Sequence, residues 1–242
     1  MKGTTPVWKD LLRRIQRIVS TRSPKPTIPP AGSLPAQFVD PATALPAQVA
    51  VEGTIRFVDR ERPYRQITLA GEYRFDDIRR EDIVVDIGAN VGAFCIRAAR
   101  LSDHVVAVEP VCWDILRENV GLNRVPVTII TGALGNGHPG EVSWDGSLVT
   151  VPTYTLGQII GMAGGCDFLK CDCEGAEWLI RPEELGGIRR LEMELHVPPI
   201  GGPPNPALLE YIGRYYDLEI ERRPVHDVMG VLGILHARLR GE

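Results

Sequence analysis

Five cysteines are all that the 242-residue chain contains, and no two of them form a Cys-x-x-Cys pair. An odd number of thiols without paired spacing excludes a disulfide framework as the basis of the fold. It places the chain in a reducing compartment, so a cytoplasmic location is expected. Cys171 and Cys173 flank Asp172, and with Cys166 they approach a thiolate metal site, but no histidine is near in sequence to finish it. These thiols are expected to act as small buried hydrophobes, and no metal is expected. Long apolar runs are missing too: none nears the ~20 residues of a membrane span, and the first residues lack a signal peptide's apolar core. Internal repeats are absent.

A positive excess is missing from most of the chain. The formal net charge is -4, yet residues 1–26 hold seven basic side chains against Asp10 alone, leaving 20 basic and 30 acidic residues in the remainder. An acidic body gives no strong signal for nucleic acid. The basic head has a separate task. PVWKDLLRRIQRIV, residues 6–19, sets Trp8, Leu11, Leu12, Ile15, Ile18 and Val19 at helical spacing with Lys9, Arg13, Arg14 and Arg17 largely opposite. Residues 1–20 are therefore expected to form a short amphipathic basic helix. It would dock on its own domain or on a sister subunit in a homo-oligomer; the alternative is peripheral contact with an anionic membrane surface. Residues 21–48 follow as a linker or strap whose seven prolines and few large hydrophobes cannot support a core.

Residues 49–242 read as one domain. GTIRFVD and YRQITLAG alternate around the break Arg60–Pro63, predicting an antiparallel hairpin. Strands and helices then alternate: IVVDIG, VGAFCIRAARL, HVVAVEP, CWDILRENVGLN and PVTIITGALG. A polar excursion through EVSW and LVTVPTYT leads to a helix at LGQIIGM, a strand FLKCD, a partly helical EWLIRPEEL and a strand RRLEMELH. NPALLEYIGRYY is a helix, and DLEIERR and VLGILHARL close as an antiparallel strand pair. Near-continuously apolar strands alternating with helices predict an α/β fold: a doubly wound, mostly parallel sheet covered on both faces.

Ligands of such sheets bind beyond the carboxyl ends of the strands, where strand order reverses. The first strand of the alternation runs into VVDIGANVGAF, in which Gly88 and Gly92 permit a tight turn and close approach of a ligand, with Ala89 and Asn90 between them. A nicotinamide site would read Gly-x-Gly-x-x-Gly; the middle glycine is absent here and Asn90 takes its place. Asp86, two residues before the first glycine, repels a pyrophosphate but suits a cationic amino-acid end such as that of S-adenosylmethionine. Glu109, before Pro110 at the end of the next strand, is set to accept both ribose hydroxyls. Ala133 and Leu134 in the TGALG turn are set to lie against the adenine edge.

These motifs, DIGANVGAF, AVEP, GALG, FLKCDCEGAE and MELH in that order, resemble the FkbM family of S-adenosylmethionine-dependent methyltransferases. LKCDCEGAE is the most specific, being similar to the family's LKIDVEGAE with cysteines at two branched apolar positions. The likeness runs from about Asp82 to His196. It implies the class I methyltransferase fold, S-adenosylmethionine as cofactor and commonly a hydroxyl of a sugar, polyketide or other natural product as acceptor. Substrate does not transfer with fold.

FLKCDCEGAEWLI drives four charged residues into a segment apolar enough for an interior. Asp172, at a strand's carboxyl end, is the first candidate for the base that takes a proton from an alcohol acceptor, and Glu174 is the second. His196, beside Glu194 at the end of MELH, is a further base or orienter. Lys170 points to the same face as Asp172 and is expected to pair with it. The loop VPPIGGPPNP after His196 offers a lid or specificity wall. The leading reading is O-methylation of a hydroxyl of a small molecule, sugar or glycan. An RNA ribose 2′-hydroxyl is the alternative acceptor, and a non-catalytic cofactor-binding module is the alternative class.

Overall fold

The computed structural model describes residues 48–52, 55–59, 72–144, 146–222 and 230–241. The basic helix, the proline-rich strap and the arm at residues 64–71 lie outside the described residues.

Thirteen strands are described, and seven of them make the central sheet. The chain enters through a hairpin of β1 (Gln48–Glu52) and β2 (Ile55–Asp59), paired antiparallel. Ile55–Asp59 belongs to the expected first arm and pairs here with β1; the expected second arm lies outside the described residues. Next come β3 (Ile83–Ile87), α1 (Ala93–Ala98), β4 (His104–Glu109), α2 (Trp113–Asn123) and β5 (Val127–Thr131).

The polar excursion holds more order than its composition suggested. β6 (Ala133–Leu134) pairs with β9 (Thr153–Tyr154), and β7 (Gly140–Trp144) pairs with β8 (Ser147–Val151) in a hairpin that buries only Val151. Helix α2 is followed by α3 (Leu156–Ala163), which opens on a capping box: Thr155 Oγ1 accepts the Gln158 amide at 3.2 Å and Gln158 Oε1 accepts the Thr155 amide at 2.9 Å. Then come β10 (Phe168–Cys171), two short 3-10 turns (Ala176–Leu179 and Pro182–Leu185), β11 (Arg190–His196), α4 (Pro206–Tyr215), β12 (Tyr216–Glu221) and β13 (Val231–Leu239).

The strand order is β12-β13-β11-β10-β3-β4-β5. β5, β4, β3, β10 and β11 are mutually parallel, and β13 inserts antiparallel between β11 and β12. The order reverses between β3 and β10, so the crevice expected for a ligand opens beyond Ile87 and Cys171.

The two faces of the sheet differ in kind. Val85, Ile87, Leu169, Cys171, Leu191, Met193 and Leu195 alternate onto one face and meet Leu156 and Ile159 of α3 and Leu208 and Ile212 of α4 in a continuous apolar cluster. The opposite face buries Val84, Ala107 and Phe168 against Phe94 and Ile96 of α1, Leu116 of α2 and Phe57 of β2. It also carries a row of ionisable groups. Register places Asp86, Lys170, Glu192, His236 and Glu219 side by side on β3, β10, β11, β13 and β12. Acid and base alternate along that row, and its first four members are buried. His236 Nδ1 lies 2.7 Å from Glu192 Oε2, and Arg190 Nη2 donates to Glu192 Oε1 at 2.5 Å. Among the described residues no helix is long and apolar enough to cross a membrane.

Candidate active site

The loop after β3 is built around the end of β10. Gly88 (φ 73°) is a glycine because a Cβ there would stand 1.8 Å from the Asp172 carbonyl oxygen. Its permissive backbone thus admits the neighbouring strand where a ligand was expected. Gly88 and Ala89 donate their amides to Val108 O at 3.0 and 3.1 Å, tying the loop to β4. Gly92 (φ 96°) leaves room for the side chains of Leu116 and Ile96 as α1 begins. Asn90 takes a left-handed φ of 50°, and its Oδ1 is buried without a hydrogen-bond partner among the described residues.

Glu109 ends β4 and holds this loop rigid. Its Oε2 accepts the Asn90 amide at 2.8 Å, and its Oε1 accepts the amides of Val111 at 2.8 Å and Cys112 at 2.9 Å. A carboxylate has about four lone-pair sites, so roughly one is left for a ligand hydroxyl, not the two a full ribose grip requires. The remaining acceptor, the orphaned Asn90 Oδ1 and a loop of residues 88–92 without any basic side chain fit a cofactor with hydroxyl and ammonium donors and no phosphate. Pro110 and Ala133 are half-buried near these strand ends, and Leu134 is buried in the apolar cluster.

Asp86 departs from its expected role. It is 0% exposed and faces Lys170, whose Nζ lies 3.1 Å from Asp86 Oδ1. Its carboxylate is engaged in a buried ion pair inside the sheet, where contact with a ligand's cationic end was expected. Lys170 makes the expected pair with Asp172, at 3.8 Å, although Asp86 is closer; it is 1% exposed and its Nζ donates to Gly88 O at 2.8 Å. Burial pulls the Lys170 pKa down, but Asp86 and Asp172 more than reverse this and hold it above the ordinary lysine value. Lys170 is a positioning residue that joins β10 to the loop after β3.

The mouth itself is acidic. Asp172 lies just past β10, 18% exposed, and its Oδ2 accepts the Tyr73 hydroxyl at 2.9 Å. His196 closes β11 with its side chain 2% exposed. Its Nε2 stands 3.4 Å from Glu174 Oε2, 3.5 Å from Glu194 Oε2 and 4.0 Å from Asp172 Oδ1. On the other side of the ring, buried Glu177 sets Oε1 3.2 Å from Nδ1 and accepts the His196 backbone amide at 2.5 Å. Burial lowers the His196 pKa, but Glu177, then Asp172 and Glu174, outweigh it and raise the pKa to about 9. Glu194 is raised to about 8, by burial first and then by repulsion from Asp172.

Strand geometry explains the convergence. Glu194 and His196 are two apart on β11 and project to one side, while Asp172 and Glu174 come from the loop after β10. Glu174 has a left-handed φ of 54°, and Gly175 (φ 105°) is a glycine because a Cβ would meet Gly201 Cα at 2.5 Å. The proline-rich loop after β11 therefore folds back onto the Glu174 turn, and Gly175 makes room for that loop.

Three members of this cluster escaped prediction. Tyr73 sits in a loop with no motif around it. Glu177 lay inside the quoted run but was given no role, and the i, i+2 pairing of Glu194 with His196 was a usable signal. Cys171 and Cys173 bring their sulfurs within 3.4 Å of each other. A separate polar cavity of about 200 Å³ lies at the opposite end of the strands, lined by Asp77, Arg79, Arg189 and Arg238, with Arg189 bound to Asp77 and Asp82.

A seven-stranded, mostly parallel sheet in this order, with its last strand inserted antiparallel, is the α/β architecture of the class I methyltransferase fold. Residues 86–198 match the methyltransferase FkbM domain. No curated protein matches the chain. Among solved structures, Trm5b from Pyrococcus abyssi is 16% identical over 81% of this chain and 56% of its own, with a TM-score of 0.47. An rRNA methylase from Streptococcus thermophilus is 12% identical over 75% of this chain and 99% of its own, with a TM-score of 0.50. The methyltransferase FkbM from Methylobacillus flagellatus KT is 17% identical over 73% of this chain and 48% of its own, with a TM-score of 0.45. The chain thus spans 56% of the length of the first and 48% of the third. Identities this low speak for the fold alone.

Proposed function

We propose that the chain transfers the methyl group of S-adenosylmethionine to a hydroxyl of a small molecule, sugar or glycan. The observation that carries this reading is the ring of carboxylates around His196, at the carboxyl ends of β10 and β11 and beside the loop that suits the cofactor. S-adenosylmethionine brings both the methyl and a good leaving group, so the protein's work lies at the acceptor: orientation, exclusion of water and removal of one proton.

Asp172 is the group for that proton. Tyr73 engages Oδ2 at 2.9 Å, which holds the carboxylate at the mouth with Oδ1 4.0 Å from His196 Nε2. Glu174, with its side chain 73% exposed at the rim, is the second choice. His196, with a pKa near 9, is protonated at neutral pH and serves to gather the carboxylates; it is not itself a base. Around the cofactor, Glu109 and Asn90 supply acceptors, and the backbone of Gly88 and Ala89 is fixed by Val108.

An RNA ribose is the second reading, since the fold is shared with an rRNA methylase. A mouth lined by Asp172, Glu174 and Glu194 repels phosphates, which favours an uncharged or cationic acceptor. Labelled S-adenosylmethionine offered with sugars, phenolic and aliphatic alcohols and total RNA separates the two. Label entering RNA alone would overturn the small-molecule reading. Asp172→Asn should keep cofactor affinity within about threefold while turnover falls about 10²–10⁴-fold; unchanged turnover would clear Asp172. Binding of cofactor by the unaltered chain with no transfer to any acceptor would support a binding module instead.

A further inference from the structure

We propose that Asp172, Glu194 and His196 form a binding site for one divalent first-row cation of the manganese(II) class. It deepens the reading just given, because it describes the same mouth; only the role of the ion depends on that reading.

One donor atom from each of the three residues lies within 4.8 Å of the other two. Two donors held about 2.1 Å from one ion stand ~3.0–3.4 Å apart at octahedral to tetrahedral angles. His196 Nε2 is already 3.5 Å from Glu194 and 4.0 Å from Asp172, so shifts of under about an ångström close the shell. Glu174 Oε2, 3.4 Å from the same nitrogen, offers a fourth donor from the rim.

The histidine is what distinguishes this set from a group of surface acids. Its side chain is 2% exposed, and its one free nitrogen is aimed at the carboxylates. Its other nitrogen meets Glu177, itself 0% exposed and also bound to the amides of Gly175 at 2.8 Å and His196. A carboxylate on the far ring nitrogen is the arrangement that fixes an imidazole for metal ligation, orienting the ring and strengthening the other nitrogen as a donor. Without the ion, a proton on the ring offsets the surrounding charge; the cation takes its place.

Local charge points the same way. Three carboxylates lie within 4.0 Å of His196 Nε2, and the Lys170 ammonium is closer to Asp86 than to Asp172. The donors are oxygen and imidazole nitrogen, which suit manganese(II) better than a thiophilic ion. Three protein ligands leave positions open for oxygens of the acceptor, whose hydroxyl such an ion polarises.

The test uses the full chain freed of metal with a chelator. Titration with Mn²⁺, followed by calorimetry and by loss of the free-ion paramagnetic resonance signal, should show one equivalent bound with a micromolar Kd. Glu194→Gln should weaken this at least tenfold, and Glu177→Gln about tenfold through the ring it holds. Both variants are checked for folding by circular dichroism and for S-adenosylmethionine binding, neither of which should change beyond threefold. Co²⁺ in the same site should give visible absorption that Glu194→Gln alters. No Mn²⁺ saturation below 1 mM, in protein that binds S-adenosylmethionine, overturns the metal site and leaves the methyltransferase reading intact; so does binding that Glu194→Gln leaves unchanged. Loss of S-adenosylmethionine binding by the unaltered chain would strike the reading of function instead.

Discussion

The two faces of the central sheet solve the same burial problem by opposite means. One face covers β3, β10 and β11 with α3, α4 and side chains that carry no charge at all. The other sets Asp86, Lys170, Glu192 and His236 in one transverse row, four strands wide and closed to solvent. Apolar contacts are tolerant, since any side chain of similar volume holds two layers together. A buried row of alternating charge tolerates only the register that pairs each member, because a slip leaves an ion unpaired in a medium of low dielectric. The charged face therefore specifies strand alignment, and with it the relative placement of the loops after β3, β10 and β11, which carry the active site.

The sharpest way to break this contrast is Lys170→Met. It strands Asp86 and should cost about 3–5 kcal/mol, read from denaturant midpoints. Adding Asp86→Leu should recover most of that loss; a double variant as unstable as the single would mean that pairing is not what the row contributes. Leu191→Ala on the apolar face should cost about 3 kcal/mol with no partner able to rescue it.

A pH series comes next in size. His196 near 9 and Glu194 near 8 both stand above their unfolded values. Each contribution is therefore complete below the unfolded pKa, near 4.5 for Glu194 and 6.5 for His196, and is lost as pH rises through the folded value. Unfolding free energy should fall by of order 2 kcal/mol between pH 6 and 9.5, and Glu194→Gln should flatten that slope. Smallest is Arg74→Ala. Its 2.8 Å pair with Glu219 lies at the solvent end of the row, with side chains 38% and 63% exposed. The loss should stay below about 1 kcal/mol, and a larger one would place the row's strength at its rim.

Legibility followed the same division. Apolar runs such as IVVDI and FLKC are bounded by turn residues, so their strands and the parallel sheet could be read locally. The loops proposed for cofactor and acceptor could also be placed at strand ends, because DIGANVG and CDCEGAE directly continue apolar strand runs. That Asp86 and Lys170 pair with each other could not be read. Their pairing depends on two strands more than eighty residues apart lying in a particular register, which no local pattern encodes. Tyr73 is a similar case, a lone aromatic far from any motif that the fold brings to Asp172. The β7–β8 hairpin was missed because its ten strand residues bury only Val151, so its two-residue alternation separates exposed from half-buried positions and not from core ones. Glu177 was the opposite failure: a buried acid within a recognised run, overlooked because its partner lies on another strand.

Gly88 carries a consequence for how this enzyme can change. With no atom to spare between it and the Asp172 carbonyl, the half of the candidate site proposed for the donor and the half proposed for the acceptor share a wall one hydrogen thick. Neither half can drift alone: a lineage seeking a new substrate must vary the rim, at Glu174 and the proline loop, and leave this seam untouched.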